Sequence, residues 1–215
     1  MKVKLLKSIL YIICLFITLK TEIIFGQPKI KYNLYFKWPL IKWSFLYPLK
    51  VKKTIRTVKK TLNEVENVKN DSITDNDNNG GQLDAFKHAY FMALLTKNIG
   101  FKPAKKFGIA YEITNYKTYK KSKKKNNNLN YYDYKSCLMD YLNNNVGLTI
   151  GITYKNLNED DIKKVVLDYL FSGKLYILLK DDYNNFLDCN NCIIDISKND
   201  WFTNKCLVPS NQKKL

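Results

Sequence analysis

Arginine is almost absent from this chain: Arg56 is the only one among 36 basic residues, which face 19 acidic ones for a formal net charge of +17. A basic balance of that size invites a nucleic-acid reading. Readers of phosphates and base edges, however, favour the bidentate guanidinium. Lysine is abundant here together with Asn, Ile and Tyr, the set that AT-rich codons encode, so composition accounts for much of the charge. Nucleic acid is therefore disfavoured as a partner. An anionic membrane surface stays open, through Lys117–Lys125 and an aromatic arm at 27–48.

A run apolar enough to span a bilayer is missing at the N-terminus. SILYIICLFITL covers 8–19 and is interrupted by Lys20 and Glu22, short of the roughly 20 residues that a span needs. Lys2, Lys4 and Lys7 precede it, and Gly26 stands before Gln27. That is the layout of a secretory signal over residues 1–26. Cleavage after Gly26 makes the protein exported, periplasmic or secreted, and leaves a charge of +14 once four lysines and one glutamate are gone. An uncleaved signal makes it membrane-anchored. Cys14 has no small-residue lipobox around it, which argues against a lipoprotein.

Cysteine is sparse. Beyond Cys14 there are Cys137, Cys189, Cys192 and Cys206, an even number that in an exported protein suggests disulfides, with three pairings open. The CNNC at 189–192 resembles a redox or zinc half-motif, yet it has no second CxxC and no nearby histidine. The reading is a staple of the C-terminal tail, Cys206 pairing with Cys189 or with Cys192, while Cys137 is a buried thiol on a helix.

What is present is helical periodicity. The segment 27–48 carries Trp38, Trp43, Phe45 and Tyr47 between prolines, an irregular arm that either lies in a membrane interface or straps across a core. Val51, Ile55, Val58, Leu62 and Val65 recur at steps of four and three, an amphipathic helix of about five turns. It ends in the turn-rich NDSITDNDNNGG. Within it, Asp75, Asp77, Asn79 and Gly80 imitate the start of an EF-hand loop, but Phe86 stands where the bidentate Glu belongs. The loop's work is to break the chain and cap the next helix. That helix, 82–98, is apolar nearly all round and is therefore central, with Lys87, Thr96 and Lys97 wanting water. Gly100 stops it, and Pro103 opens a helix carrying Glu112. A basic loop at 117–130, a helix near 131–147 and a helix capped by Asn158 follow, and KLYILLKDD fits helix or strand. No internal repeat appears. The fold class is all-α: a compact bundle of about five helices over 49–180, with the arm before it and a loop-rich tail, 181–215, after it.

The only histidine, His88, stands four residues after Asp84, on one face of the central helix. Buried charges find partners or ligate a metal. Candidate partners are Glu112 on the next helix and Asp140, Asn143 and Asn144 on the third. Carboxylates and imidazole on facing helices can hold a divalent ion, and this mixture suits Zn²⁺, Mn²⁺ or Fe²⁺ better than Ca²⁺. Without a metal, an Asp–His pair still serves as an oriented base. The competing reading is a structural clasp, in which the same residues lock three helices together.

Three segments, DAFKHAYFMALL (84–95), AKKFGIAYE (104–112) and MDYLNNNVG (139–147), resemble three blocks of an uncharacterised bacterial family: DAFRHAYWNALL, AKKFxxAHE and MDLHNNxVGR. The resemblance covers about residues 50–175. It implies a shared site of Asp84, His88, Glu112, Asp140, Asn143 and Asn144, and it names no reaction. Departures are Tyr111 for the histidine of the second block, Leu142 and Leu148 for the His and Arg of the third, Lys87 for Arg, and Phe91–Met92 for Trp-Asn. The functional expectation is an exported, hydrolase-like helical domain. Asp84 and Asp140 ligate or orient, His88 ligates or acts as base, Glu112 handles protons, and Asn143, Asn144 and Tyr111 position substrate. The alternative is a non-catalytic envelope or binding module built on the clasp.

Overall fold

The computed structural model describes residues 38–124, 133–198 and 200–212. The segment expected to be a secretory signal and the first part of the arm lie outside them. Six α-helices make up most of it: α1 (Trp38–Leu46), α2 (Val51–Asn70), α3 (Gln82–Ile99), α4 (Phe101–Lys124), α5 (Tyr134–Thr153) and α6 (Glu159–Phe171). Two short strands, β1 (Tyr176–Leu178) and β2 (Leu207–Pro209), pair antiparallel with Ile177 opposite Val208. No helix of the described residues is long and apolar enough to cross a membrane.

The helix that the sequence makes central is central. Its residues Leu83, Phe86, Ala89, Tyr90, Ala93 and Leu94 enter one core with α2 and α6, while Met92, Leu95 and Ile99 enter a second with Trp43, Ala104 and Leu148. Phe86 and Tyr90 stack at 5.3 Å inside the first, each burial stabilising by about 1.5–3 kcal/mol. Against α5 the backbone of α3 comes closer than side chains permit. A Cβ on Gly147 would lie 2.2 Å from the Ala89 carbonyl oxygen, and one on Gly151 would lie 2.5 Å from that of Ala93. Two glycines one turn apart thus set the spacing of the two helices that carry Asp84, His88 and Asp140.

Helix ends follow the capping signals. Asn158 accepts from the Asp161 amide at 2.8 Å, and Gly100 and Gly173 close α3 and α6 with φ of +94° and +74°. KLYILLKDD forms β1.

Two expectations need correction. The arm is not irregular throughout, because Trp38–Leu46 is a helix. Pro39 falls in its first turn, where a missing amide costs nothing, and the buried Trp43 donates to the Pro103 carbonyl at 2.9 Å, tying α1 to α4. The basic loop also begins later: α4 runs on to Lys124, since lysine is a good helix former and no Gly or Pro occurs between Ile109 and Lys124.

Candidate functional site

The site is built from the start of α3. Asp75 accepts from the amides of Gln82 and Leu83 at 3.0 and 3.3 Å, capping the helix from seven and eight residues upstream. Asp77 accepts from Asn79 and Asp75 from Asp77, so the loop folds on its own carboxylates. The cation facing this EF-hand-like loop is the ammonium of Lys180, which binds Asp77 Oδ2 at 2.5 Å and the Asn79 carbonyl at 2.7 Å. Lys180 is buried, and its Nζ lies 4.4 Å from the centre of the Phe186 ring. A second buried lysine, Lys205, pairs with Asp133 at 2.7 Å and lies 3.8 Å from the same ring. Burial lowers its pKa below the ordinary lysine value. Neither role shows in the sequence, where lysine reads as a solvated residue; the pairing of Lys180 with an acid loop a hundred residues away has no local signal.

With its loop held, α3 presents Asp84 and His88. His88 Nε2 lies 3.2 Å from Asp140 Oδ1 and 3.6 Å from Asp84 Oδ1. Its Nδ1 lies 3.3 Å from Asn144 Oδ1. Asn144 in turn directs its Nδ2 to Glu112 at 3.5 Å, and Glu112 also accepts from Asn115 at 3.4 Å. Asp84 accepts from the Gly80 amide at 2.8 Å and from the Lys87 ammonium, which also binds Asn78. Three helices therefore bring together Asp84, His88, Asp140, Asn144 and Glu112. Asn143 is turned elsewhere: it donates to and accepts from the Tyr176 backbone at 2.8 and 2.9 Å, fastening β1 to α5. Lys87, assigned to water on its sequence, is only partly exposed and neutralises Asp84.

Burial raises the carboxyl pKa of Glu112 to about 8, and the neighbouring Asp140 charge pushes the same way, against the hydrogen bonds from Asn115 and Asn144. Glu112 is then neutral at pH 7, leaving two carboxylates opposite the Lys87 ammonium and an imidazole whose two nitrogens both face oxygen.

Asp84, His88 and Asp140 each offer an atom within 4.8 Å of the others. The donor spacings of 3.2 and 3.6 Å bracket the roughly 3.3 Å edge of a tetrahedron with 2.0–2.1 Å bonds. A ligating histidine usually donates its other ring N–H to an oxygen, and Asn144 Oδ1 is placed to accept it. The residues fit a divalent ion.

Beside this cluster runs a groove of about 150 Å³ between α2, α3 and α4. Leu62, Phe91, Met92, Phe107 and Tyr111 form its apolar walls, and Lys87, His88 and Asn144 its polar end. Tyr111, named as a substrate-positioning residue on sequence grounds, lies at this groove and is 43% exposed. The contribution of α2 carries no sequence signal, because Val58 and Leu62 look like any core-facing helix stripe.

A family model described as a domain of unknown function (DUF6973) matches residues 41–174. This chain belongs to the DUF6973 family. The match begins within α1 and ends just after α6, so the DUF6973 domain contains every residue of the cluster and groove, while Lys180 and Lys205 lie beyond it. Comparisons with curated proteins and with solved structures gave no match.

The tail staple joins Cys189 to Cys206. Cys192 is a free, exposed thiol and Cys137 a half-buried one.

Proposed function

We propose that the DUF6973 domain is a metal-dependent hydrolase whose site is Asp84, His88 and Asp140, with Glu112 as its proton carrier. The observation that carries the reading is the convergence of these three side chains within 4.8 Å, with Nδ1 of the histidine already tied to Asn144. A divalent ion there supplies a Lewis acid and a water acidified toward neutral pH. The chain's own groups do the rest. Asn144 fixes the imidazole tautomer and orientation. Glu112, protonated at neutral pH, holds a proton beside Asn144, the side chain that links it to the imidazole. Lys87 sits between Asp84 and the groove, offering a positive charge to a substrate oxygen.

A second reading is favoured by one contact. The Lys87 ammonium on Asp84 neutralises that carboxylate without any ion, as a structural clasp requires. The two readings part on metal content. Purified full-length chain, incubated with Zn²⁺, Mn²⁺ or Fe²⁺ and dialysed, should retain close to one equivalent by elemental analysis and melt at a lower temperature after chelation, by linkage. Asp84→Asn and Asp140→Asn should each lose the metal while staying folded. Folded wild type that retains no metal, with a melting temperature indifferent to chelator, would leave the clasp as the correct reading.

A further inference from the structure

The groove beside His88 is held open by features that a solid core would not keep. Gly108 sits in the interior of α4, where glycine is disfavoured relative to alanine. A Cβ there would lie 3.3 Å from Met92 Cε and 4.0 Å from Asn144 Nδ2. Any longer side chain at 108 would occupy the groove. The lining contains no acid, and its nitrogens, from Lys87, His88 and Asn144, gather at one end. The groove thus has the polarity of a ligand with an apolar body and an electron-rich head.

We infer that this groove binds a medium-chain acyl group of about six to eight carbons, its carbonyl end at Lys87 and His88 and its chain between Leu62, Met92 and Phe107. Size sets the length: an apolar cavity of about 150 Å³ takes benzene, six carbons, and the carbonyl end adds one or two more. The direction of the chain rests on the proposed hydrolytic reading of His88; the pocket itself does not. A free fatty acid and an ester present the same acyl chemistry here, and the assay separates them.

Titration calorimetry on the full-length protein, with and without chelator, would use butyrate, hexanoate, octanoate, dodecanoate and ethyl octanoate. Affinity should rise about fourfold per added methylene up to about octanoate and then stop rising. Octanoate binding better than its ethyl ester identifies the free acid as ligand, and the reverse order identifies the ester; both uphold the acyl pocket. Gly108→Leu should abolish binding. Leu62→Asp, at a position 57% exposed, should weaken octanoate at least tenfold while leaving the melting temperature unchanged, which guards against a Gly108→Leu chain that fails to fold. An affinity that ignores chain length, that climbs on through dodecanoate, or that survives Leu62→Asp overturns the proposal. Wild-type protein that shows the chain-length series yet retains no Zn²⁺, Mn²⁺ or Fe²⁺ and ignores chelator overturns the metal reading alone and leaves the acyl pocket standing.

Discussion

Replacing Glu112 by Gln should stabilise the protein, and only above about pH 6. In the folded chain burial raises this carboxyl from its ordinary 4.5 to about 8. Between those values the unfolded chain has lost the proton and the native one keeps it. By linkage, the stability that the protonated group contributes is fully present below about pH 4.5, declines through the interval, and is gone once pH rises past about 8. Each pH unit of the interval is worth about 1.4 kcal/mol, so its full width corresponds to about 5 kcal/mol. Glu112 keeps some access to water, and relaxation of its neighbours reduces the effect further, so about 2–3 kcal/mol is the working expectation. Gln is neutral in both states and removes the penalty. Its Oε1 still accepts from Asn144, while its amide group faces Asn115 and loses that bond, a loss of about 1 kcal/mol at all pH values. Urea melts of wild type and Glu112→Gln at pH 4.5, 6, 7.5 and 9 should show the variant about 1 kcal/mol less stable at the lowest pH and 1–2 kcal/mol more stable at the highest. A stability difference that is flat over this range, or that runs in the opposite direction, would refute the reasoning. A stabilised variant without activity would be the expected trade at a working site.

Gly147→Ala should destabilise by about 2–3 kcal/mol or more despite alanine's better helix propensity, because its Cβ meets the Ala89 carbonyl; thermal melts check this, and neutrality would mean that α3 and α5 separate easily. Lys180→Met leaves the half-buried Asp77 without its cation, a change worth about 1.5–3 kcal/mol, measurable as a shift in the urea midpoint. Replacing Cys189 and Cys206 by Ser should cost roughly 2–3 kcal/mol for a closed loop of this length, and reductant should shift the wild-type melting temperature but not the variant's. Of the two free thiols among the described residues, the exposed Cys192 should alkylate first, since burial pushes the pKa of Cys137 up; peptide mapping reads the order.

Legibility in the sequence tracked the range of the interactions. The central position of α3 was legible because an all-apolar helix has nowhere else to go, and Asp84 with His88 because four residues of helix put them on one face. Asp140, Glu112 and Asn144 were named as partners that a buried Asp–His pair would need, and the resemblance of three blocks grouped them; no periodicity joins residues on separate helices. Asn143 was grouped with them as a candidate partner on the third helix and a residue of the shared block, yet a step of one residue turns a helical side chain by about 100°, and Asn143 faces the Tyr176 backbone instead. Lys87, Lys180 and Lys205 were not legible as partners, because a buried lysine and a solvated one look alike until the acid opposite is known. The α1 helix hid behind prolines that a first turn tolerates.

The latching of the α3 start by late residues also has a consequence in time. Lys180 on Asp77, the Leu178 amide on the Gly80 carbonyl at 2.7 Å, and Gln82 on the Ser210 carbonyl at 2.9 Å all reach back to the loop that sets Asp84. On a ribosome adding roughly 5–20 residues per second, the interval between making Asn144 and making Ser210 is about 3–13 seconds. During it the six helices can form and dock, but the carboxylate cluster lacks the contacts that aim it. The half-made chain is helical and without a finished site, and whatever this cluster does begins only when its last strand arrives.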